Sequence, residues 1–472
     1  MITDLPINFS GFKNFIISKC SIPLARYVST VALPYPTRDE RKIISIVEFV
    51  EKYQEGKKLK IALPYFPPPM GSDSGGGTYK LHEIFRHEFV KKGHDVYLFD
   101  FSSSNRETLF DGPGNYVHVS YSIDSMRQTA NNLLQLCQKL QIQVVVPLNE
   151  GIITSVIPHL PFEVKVVMHC NSIVPHAYYH VTRYPKHVSK IIVESLRQEV
   201  DLVEIWGVPR NCVSIAPNGI EPKSRVLEKE DYSGTLQLVY LGRIEDASKG
   251  TDLIPGIVEY LVTNGIDFNL DIIGSGPDEV KLKNLLQEYI SKVSFSGAIR
   301  SEEVLSKLSQ KHVLLMPSRI EGFGFVALEA MSVGVVPVVS KISGVLDWIV
   351  SDEMTGFVRE ASKPKDFGDA IIKLNDDRNL LREMSGNAFL EVIKRFSLAN
   401  MVQVHLNEFE NAIMSDQLER PAPLPFSEWR AFSEWNPSIY YKIQWRVQKV
   451  CIIFIRSIKY GHGKFVGTST FP

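Results

Sequence analysis

The sequence predicts an α/β protein built from two strand-and-helix series joined by a linker, and three observations carry that prediction. From Lys58 onward, short apolar runs alternate with amphipathic stretches at helical spacing, the pattern of sheet strands linked by crossover helices. A charged, patternless stretch from Glu221 to Gly234 interrupts the alternation, and a second series begins at Leu236. Late in that series, Val313 to Ser340 reads as strand, loop, helix, strand, with glycines and acids in the loop.

The first series opens with Leu59-Lys-Ile-Ala-Leu63 as a strand. A loop containing Pro67, Pro68, Pro69 and Gly75-Gly-Gly77 follows, then a helix over about 78–92 and a strand from Gly93 to Phe99. Glycines before a helix let the backbone approach a bound group closely; a merely flexible loop is the alternative. The spacing is neither G-x-G-x-x-G nor a P-loop, so a nicotinamide oxidoreductase lacks its signature here. Met126 to Leu140 reads as a helix, and Val144 to Pro147, Val164 to Met168, Lys190 to Ser195 and Val213 to Pro217 read as strands. His169 stands just past one of these, where binding groups collect in α/β sheets, although a lone histidine is more often structural. Pro217-Asn-Gly219 is a turn.

In the second series, the strand Leu236 to Leu241 leads into Gly242-Arg-Ile-Glu-Asp-Ala-Ser-Lys-Gly250 and a helix of about 252–264. Arg243 and Lys249, a planar fork and a point charge, suit a diphosphate, whereas a single surface lysine is usually only solvated. Leu270 to Gly276 is a strand with a Gly-x-Gly turn, Val293 to Arg300 a strand and loop, and 302–310 a helix. The unit at 313–340 then places Glu321 in a loop and Glu329 in a helix that Gly334 ends. A helix N-terminus at the carboxyl end of a strand favours anions, which repel a carboxylate unless it faces another part of the ligand. Sugar hydroxyls supply the donors that a carboxylate accepts, so the acid pair points to a ligand with both phosphate and sugar. The alternative is a first-turn acid and a solvated helix residue. Helices follow over 364–373, 380–396 and 399–414.

Composition narrows the function classes. The 472 residues leave room for two or three domains, with 44% hydrophobic and 22% charged residues. A net charge near −1 lacks the basic footprint of a nucleic-acid binder. Cys20, Cys137, Cys170, Cys212 and Cys451 are odd in number and scattered, the pattern of reduced thiols in a cytoplasmic protein and not of a disulfide frame or zinc site. No run of about 18 apolar residues suggests a membrane span, and the N-terminus does not read as a secretion signal. The tail, 415–472, is basic and aromatic. Within 438–460, Lys442, Arg446, Lys449, Arg456 and Lys459 flank an apolar side formed by Ile443, Val447, Val450, Ile453, Phe454 and Ile458. Such a helix suits either peripheral contact with the inner face of a membrane or packing against the body of the protein.

Taken in order, Gly75-Gly-Gly77, His169, Pro217-Asn-Gly-Ile220, Gly242-Arg243 with Lys249-Gly250, Ile273-Gly-Ser-Gly-Pro277, and Pro317-Ser-Arg-Ile-Glu-Gly-Phe-Gly324 with Leu328-Glu-Ala-Met331 resemble the retaining family 4 glycosyltransferases over about 59–414. The spacing from Glu321 to Glu329 matches that family's E-x7-E. The resemblance implies a GT-B fold, two Rossmann-like α/β domains facing across a cleft. It divides the chain into an unassigned extension, 1–57; an acceptor-side domain, 58–220; a linker, 221–235; a nucleotide-sugar domain, 236–396; a helix, 397–414, able to return to the N-terminal domain; and the tail.

It further implies transfer of a hexosyl group from a nucleotide diphosphate sugar to a carbohydrate or lipid-linked acceptor hydroxyl, with retention and without a required cofactor. Arg243 and Lys249 would grip the diphosphate, Glu321 the sugar and Glu329 the ribose, with His169 near the reacting carbon. Gly76, Gly77, Gly242, Gly274, Gly276, Ile299, Gly322, Phe323, Gly324 and Phe325 complete the implied donor site. No D-x-D pair occurs to bridge a metal and a diphosphate, so no metal is expected. Two departures stand out: Ser343-Gly344 with Asp347 where the family has Gly-Gly before a glutamate, and the prolines at 67–69. A GT-B epimerase or phosphorylase, and a non-catalytic sugar-nucleotide-binding subunit, remain the competing readings.

Overall fold

A computed structural model describes residues 58–65, 77–102, 112–121, 125–148, 151–221, 234–415 and 420–431. The extension 1–57, the loop 66–76 with its prolines and Gly76, residues 222–233 of the linker and the basic stretch 438–460 lie outside the described residues.

Two parallel sheets organise the chain. The first contains β1 (Lys60–Tyr65), β2 (Asp95–Asp100), β3 (Asn115–His118), β4 (Val144–Val145), β5 (Lys165–Cys170), β6 (Lys190–Val193) and β7 (Val213–Ile215), ordered β3-β2-β1-β4-β5-β6-β7. The second contains β8 (Leu236–Leu241), β9 (Phe268–Ile273), β10 (Val293–Gly297), β11 (Val313–Met316), β12 (Val336–Ser340) and β13 (Phe357–Arg359), ordered β10-β9-β8-β11-β12-β13. In each sheet the order reverses beside the first strand, which opens a crevice at the carboxyl ends there.

The central strands are continuous apolar runs because helices cover both faces. β11, Val-Leu-Leu-Met, is buried throughout and pairs in register from Val313↔Val336 to Met316↔Val339. Each sheet has a core layer on either side. In the N-terminal domain, Ala62, Val166 and Met168 join one layer, and Ile61, Val167 and Ile192 the other. In the C-terminal domain, Leu238, Ile272 and Val313 face one layer, and Val239, Ile273 and Leu314 the other.

Four helices matter for the site. They are α1 (Gly77–Lys91), α2 (Phe325–Met331), α3 (Arg378–Arg395) and α4 (Leu398–Met414). α4 leaves the C-terminal domain and lays Met401, Val402, Leu406 and Phe409 into the N-terminal core layer with Phe85 and Phe89 of α1. The chain therefore crosses between domains twice, and the crossings are tied together: Ile220 N–H donates to Phe396 O at 2.9 Å and Leu398 N–H to Ile220 O at 3.1 Å.

The described part of the tail also packs on the N-terminal domain. The Arg420 guanidinium donates to the Val164 and Phe162 carbonyls at 2.8 and 3.2 Å, and Trp429, buried in the core, donates from Nε1 to Ser155 Oγ at 3.2 Å. Residues 420–431 are thus held against the body of the protein; the helix expected within 438–460, for which membrane contact and intramolecular packing are the alternatives, lies outside the described residues. Among the described residues, no helix is long and apolar enough to cross a membrane.

Candidate active site

The cationic loop after β8 and the acidic loop after β11 meet because main-chain hydrogen bonds hold them side by side. The N–H groups of Arg319 and Ile320 both donate to Ser248 O, at 2.7 and 3.0 Å. Arg319 adds a fork of two bonds to Asp252, at 2.5 and 2.8 Å. Tyr240, buried beneath the first loop, donates from its hydroxyl to Arg243 O at 2.6 Å. Burial, followed by the nearby charges of Glu321, Glu245 and Asp246, keeps that phenol protonated well above its ordinary range.

This splice delivers Lys249 to Glu321. Lys249 Nζ lies 2.6 Å from Glu321 Oε1, and Ser318 Oγ donates to the same oxygen at 2.7 Å. Both residues line a cavity of about 260 Å³, together with Tyr240 to Gly242 at the end of β8 and Gly322 to Val326 where the acidic loop enters α2. The far wall comes from the N-terminal domain: Asn171, just past β5, and Glu194, just past β6.

The domains touch at this cavity. A Cβ on Gly322 would stand 2.5 Å from Asn171 O, so only glycine allows the acidic loop to lie this close to the opposite domain. The Arg197 N–H donates to Gly344 O across the gap at 3.0 Å. Lys80 of α1 reaches over to pair with Glu329 of α2, and its amine lies 5.4 Å from the centre of the Phe325 ring. Glu329, the expected ribose ligand, thus holds a cation from the opposite domain.

Several expected site residues lie elsewhere. Arg243 does not line the cavity: its side chain is 64% exposed and sits 3.4 Å from Glu245. Gly274 and Gly276 also lie off the cavity. Cβ atoms there would come within 1.9 Å of Gly242 O and 2.2 Å of Ile244 O, so these glycines let the loop after β9 pack on the loop after β8. Ile299 packs, partly buried, on the C-terminal core layer under α2. Gly77 begins α1, and Gly76 lies outside the described residues. Asp347 accepts from Gly344 N–H at 2.6 Å and so fixes its own loop.

His169 requires a correction. It lies inside β5, because the ladder continues through Cys170, paired with Val193. Side chains alternate along a strand, so His169 turns with Val167 into the layer under α1 and α4. There it is fully buried, stacked on His405 with ring centres 5.4 Å apart. Burial, reinforced by His405 and His82, holds its pKa well below the ordinary range, and neither ring nitrogen has a hydrogen-bond partner. The first residue past the ladder is Asn171, and it is Asn171 that faces the cavity.

Sequence reasoning missed Asn171, Glu194, Ser318 and Lys80. The strand-end rule that singled out His169 applies equally to Asn171 and Glu194 once the strand limits are known. Ser318 and Lys80 carry no signal beyond adjacency to Glu321 and to the glycine loop.

Comparison with known proteins agrees with this architecture. Residues 227–390 match the family model of glycosyl transferases group 1. An uncharacterized glycosyltransferase of Methanocaldococcus jannaschii is 32% identical over 189 residues, covering 40% of this chain and 50% of that protein. The chain spans about half the length of the first curated relatives it matches. Among solved structures, sucrose-phosphate synthase from Thermosynechococcus elongatus aligns with a TM-score of 0.63 at 19% identity, over 76% of this chain and 100% of that one. Anabaena HepE in complex with UDP aligns with a TM-score of 0.61 at 16% identity, over 75% and 100%. Residues 227–390 are therefore a glycosyl transferases group 1 domain, and the chain that carries them has the GT-B fold.

Proposed function

We propose that this protein is a retaining glycosyltransferase of the family 4 type, which moves a hexosyl group from a nucleotide diphosphate sugar to the hydroxyl of a carbohydrate or lipid-linked acceptor. The observation that carries the reading is the meeting of Lys249 and Glu321 in an interdomain cavity formed at the carboxyl ends of strands in both sheets. Support also comes from the group 1 domain, and from the UDP bound by Anabaena HepE on the same fold.

In this reading the Lys249 amine meets the diphosphate. Negative charge grows on the leaving diphosphate as the glycosidic bond breaks, while positive charge develops on the sugar ring, so a fixed cation there lowers the barrier. Glu321 accepts hydrogen bonds from the donor sugar, and Ser318 keeps its carboxylate oriented. Glu329 accepts from the ribose hydroxyls once Lys80 yields it. Arg243, whose exposed side chain rests beside Glu245 in the same loop, turns toward the diphosphate when donor is present. With no D-x-D pair in the sequence, turnover is expected to persist in EDTA.

The test is a thermal-shift panel of nucleotide diphosphate sugars, since a ligand that binds only the native state raises stability with concentration. A concentration-dependent rise with at least one member supports the reading, and a flat response across the panel defeats it. Product analysis then separates transfer from epimerisation or phosphorolysis, which yield an isomeric sugar nucleotide or a sugar phosphate and no glycosylated acceptor.

A further inference from the structure

Among the described residues, the N-terminal lining of the cavity carries polar side chains and no cation. Asn171, Glu194 and Asn218 follow β5, β6 and β7, three neighbouring strands of one sheet, so they form a row along its carboxyl edge. Asn171 and Glu194 line the cavity, while Asn218, fully buried, sets its side chain against Glu194. Glu194 is only 3% exposed. Its backbone is fixed: Gln198 Oε1 accepts from the N–H groups of Glu194 and Ser195, at 2.7 and 2.9 Å.

The Glu194 carboxyl, with Asn218 as one partner, has further hydrogen-bonding capacity at the cavity it lines. The cation on the opposite wall, Lys249, pairs with Glu321 in this structure and in the proposed function serves the donor diphosphate. A phosphate placed against this wall would find no cation among its described lining residues to balance its charge. A neutral hydroxyl would find both donors and acceptors, from an amide and an acid.

Resting on the proposed function, we infer that Asn171 and Glu194 form the acceptor subsite, and that the group they hold against the donor is a neutral polyhydroxylated one, not a phosphorylated one. Burial pushes the Glu194 carboxyl up to about 8, with Asn218 pulling the other way. Near neutrality the acid is therefore mostly protonated. It offers an O–H donor and a carbonyl acceptor, and it places no charge beside a diphosphate.

The experiment uses the full chain loaded with UDP. Binding of glucose, N-acetylglucosamine and inositol is compared with that of glucose 6-phosphate and inositol 1-phosphate, by ligand-observed NMR titration. Neutral compounds are expected to bind more tightly than their phosphorylated counterparts. Glu194→Ala and Glu194→Asp should each weaken neutral binding about tenfold, the loss of a hydrogen bond that cannot be remade. Glu194→Gln, which keeps one donor and one acceptor at the same reach, should stay within about threefold by the same logic. Should the alanine variant not fold, the contrast between aspartate and glutamine carries the test.

Tighter binding of the phosphorylated compounds, no binding of either class, or neutral binding indifferent to both Ala and Asp would each overturn the subsite. A wild-type protein that binds neither UDP nor any nucleotide diphosphate sugar defeats the donor reading itself. Normal UDP binding with saccharide binding insensitive to Glu194 defeats this inference alone.

Discussion

Replacing Glu321 by glutamine should drive nucleotide binding and turnover in opposite directions. Lys249 Nζ and Glu321 Oε1 are 2.6 Å apart, with side chains 29% and 9% exposed. A charge-assisted hydrogen bond at this depth contributes about 1–2 kcal/mol, between an exposed ion pair and a buried one. A diphosphate that recruits the Lys249 amine must draw it from Glu321, so the free protein's own pair competes with the ligand. Glutamine removes that competition and one negative charge facing the phosphates. A gain of about 1–2 kcal/mol corresponds to roughly 5- to 30-fold tighter binding. UDP affinity, measured by calorimetry at fixed ionic strength, is expected to rise by that factor. Donor consumption by the same variant should fall about 10²-fold, as when one preorganised hydrogen-bonding group is removed from an active site. Lys249→Met, measured in parallel, should lose both binding and turnover. If Glu321→Gln melts like the wild type yet binds UDP equally or more weakly, then Lys249 does not serve the diphosphate, and the assignment of this loop fails.

Three further outcomes follow from the structure. Gly322→Ala puts a methyl group 2.5 Å from Asn171 O; the domains must part locally, and transfer should fall while the circular dichroism spectrum remains that of the wild type. Trp429→Ala removes a buried ring from the N-terminal core and should cost about 3–5 kcal/mol, read as a lower urea midpoint at an unchanged slope. Stability should also decline as pH falls below 6.5. His405 is lowered to about 4 and His180 to about 3, and His169 is lowered as well. The unfolded chain therefore takes up more protons than the folded one below 6.5, and each histidine removes about 1.4 kcal/mol of stability per pH unit. Glu194, raised to about 8 from 4.5, acts in the opposite sense between those values and offsets one of the three. Melting curves at pH 7 and pH 5 test this, and an equal or higher transition at pH 5 contradicts it.

The second sheet was legible almost to the residue. β8 and β11 run over Leu236–Leu241 and Val313–Met316, as the apolar stretches there, broken only by Gln237 in β8, indicate. β3, Asn115–His118, escaped because it is a short edge strand with no fully buried residue, so hydrophobic patterning has little to register. The site divides in the same way. Lys249 and Glu321 lie on loops whose glycines and charges stand out locally, and their convergence follows from the order of strands. His169 was misplaced by a shift of two residues in reading where β5 ends, which was enough to exchange the cavity for the core. Lys80 pairs with a residue 249 positions away, a relation set by how two domains dock, and no periodicity encodes that.

The doubled passage between the halves has a consequence for how they move. The two crossings are bonded to each other at Ile220 through Phe396 and Leu398, so neither shifts without the other. Any opening of the halves would carry the lysine and glutamate loops together, because the N–H groups of Arg319 and Ile320 both bond to Ser248 O. In the proposed function, donor entry and product departure would both use that motion, and a stiffened joint is expected to slow turnover.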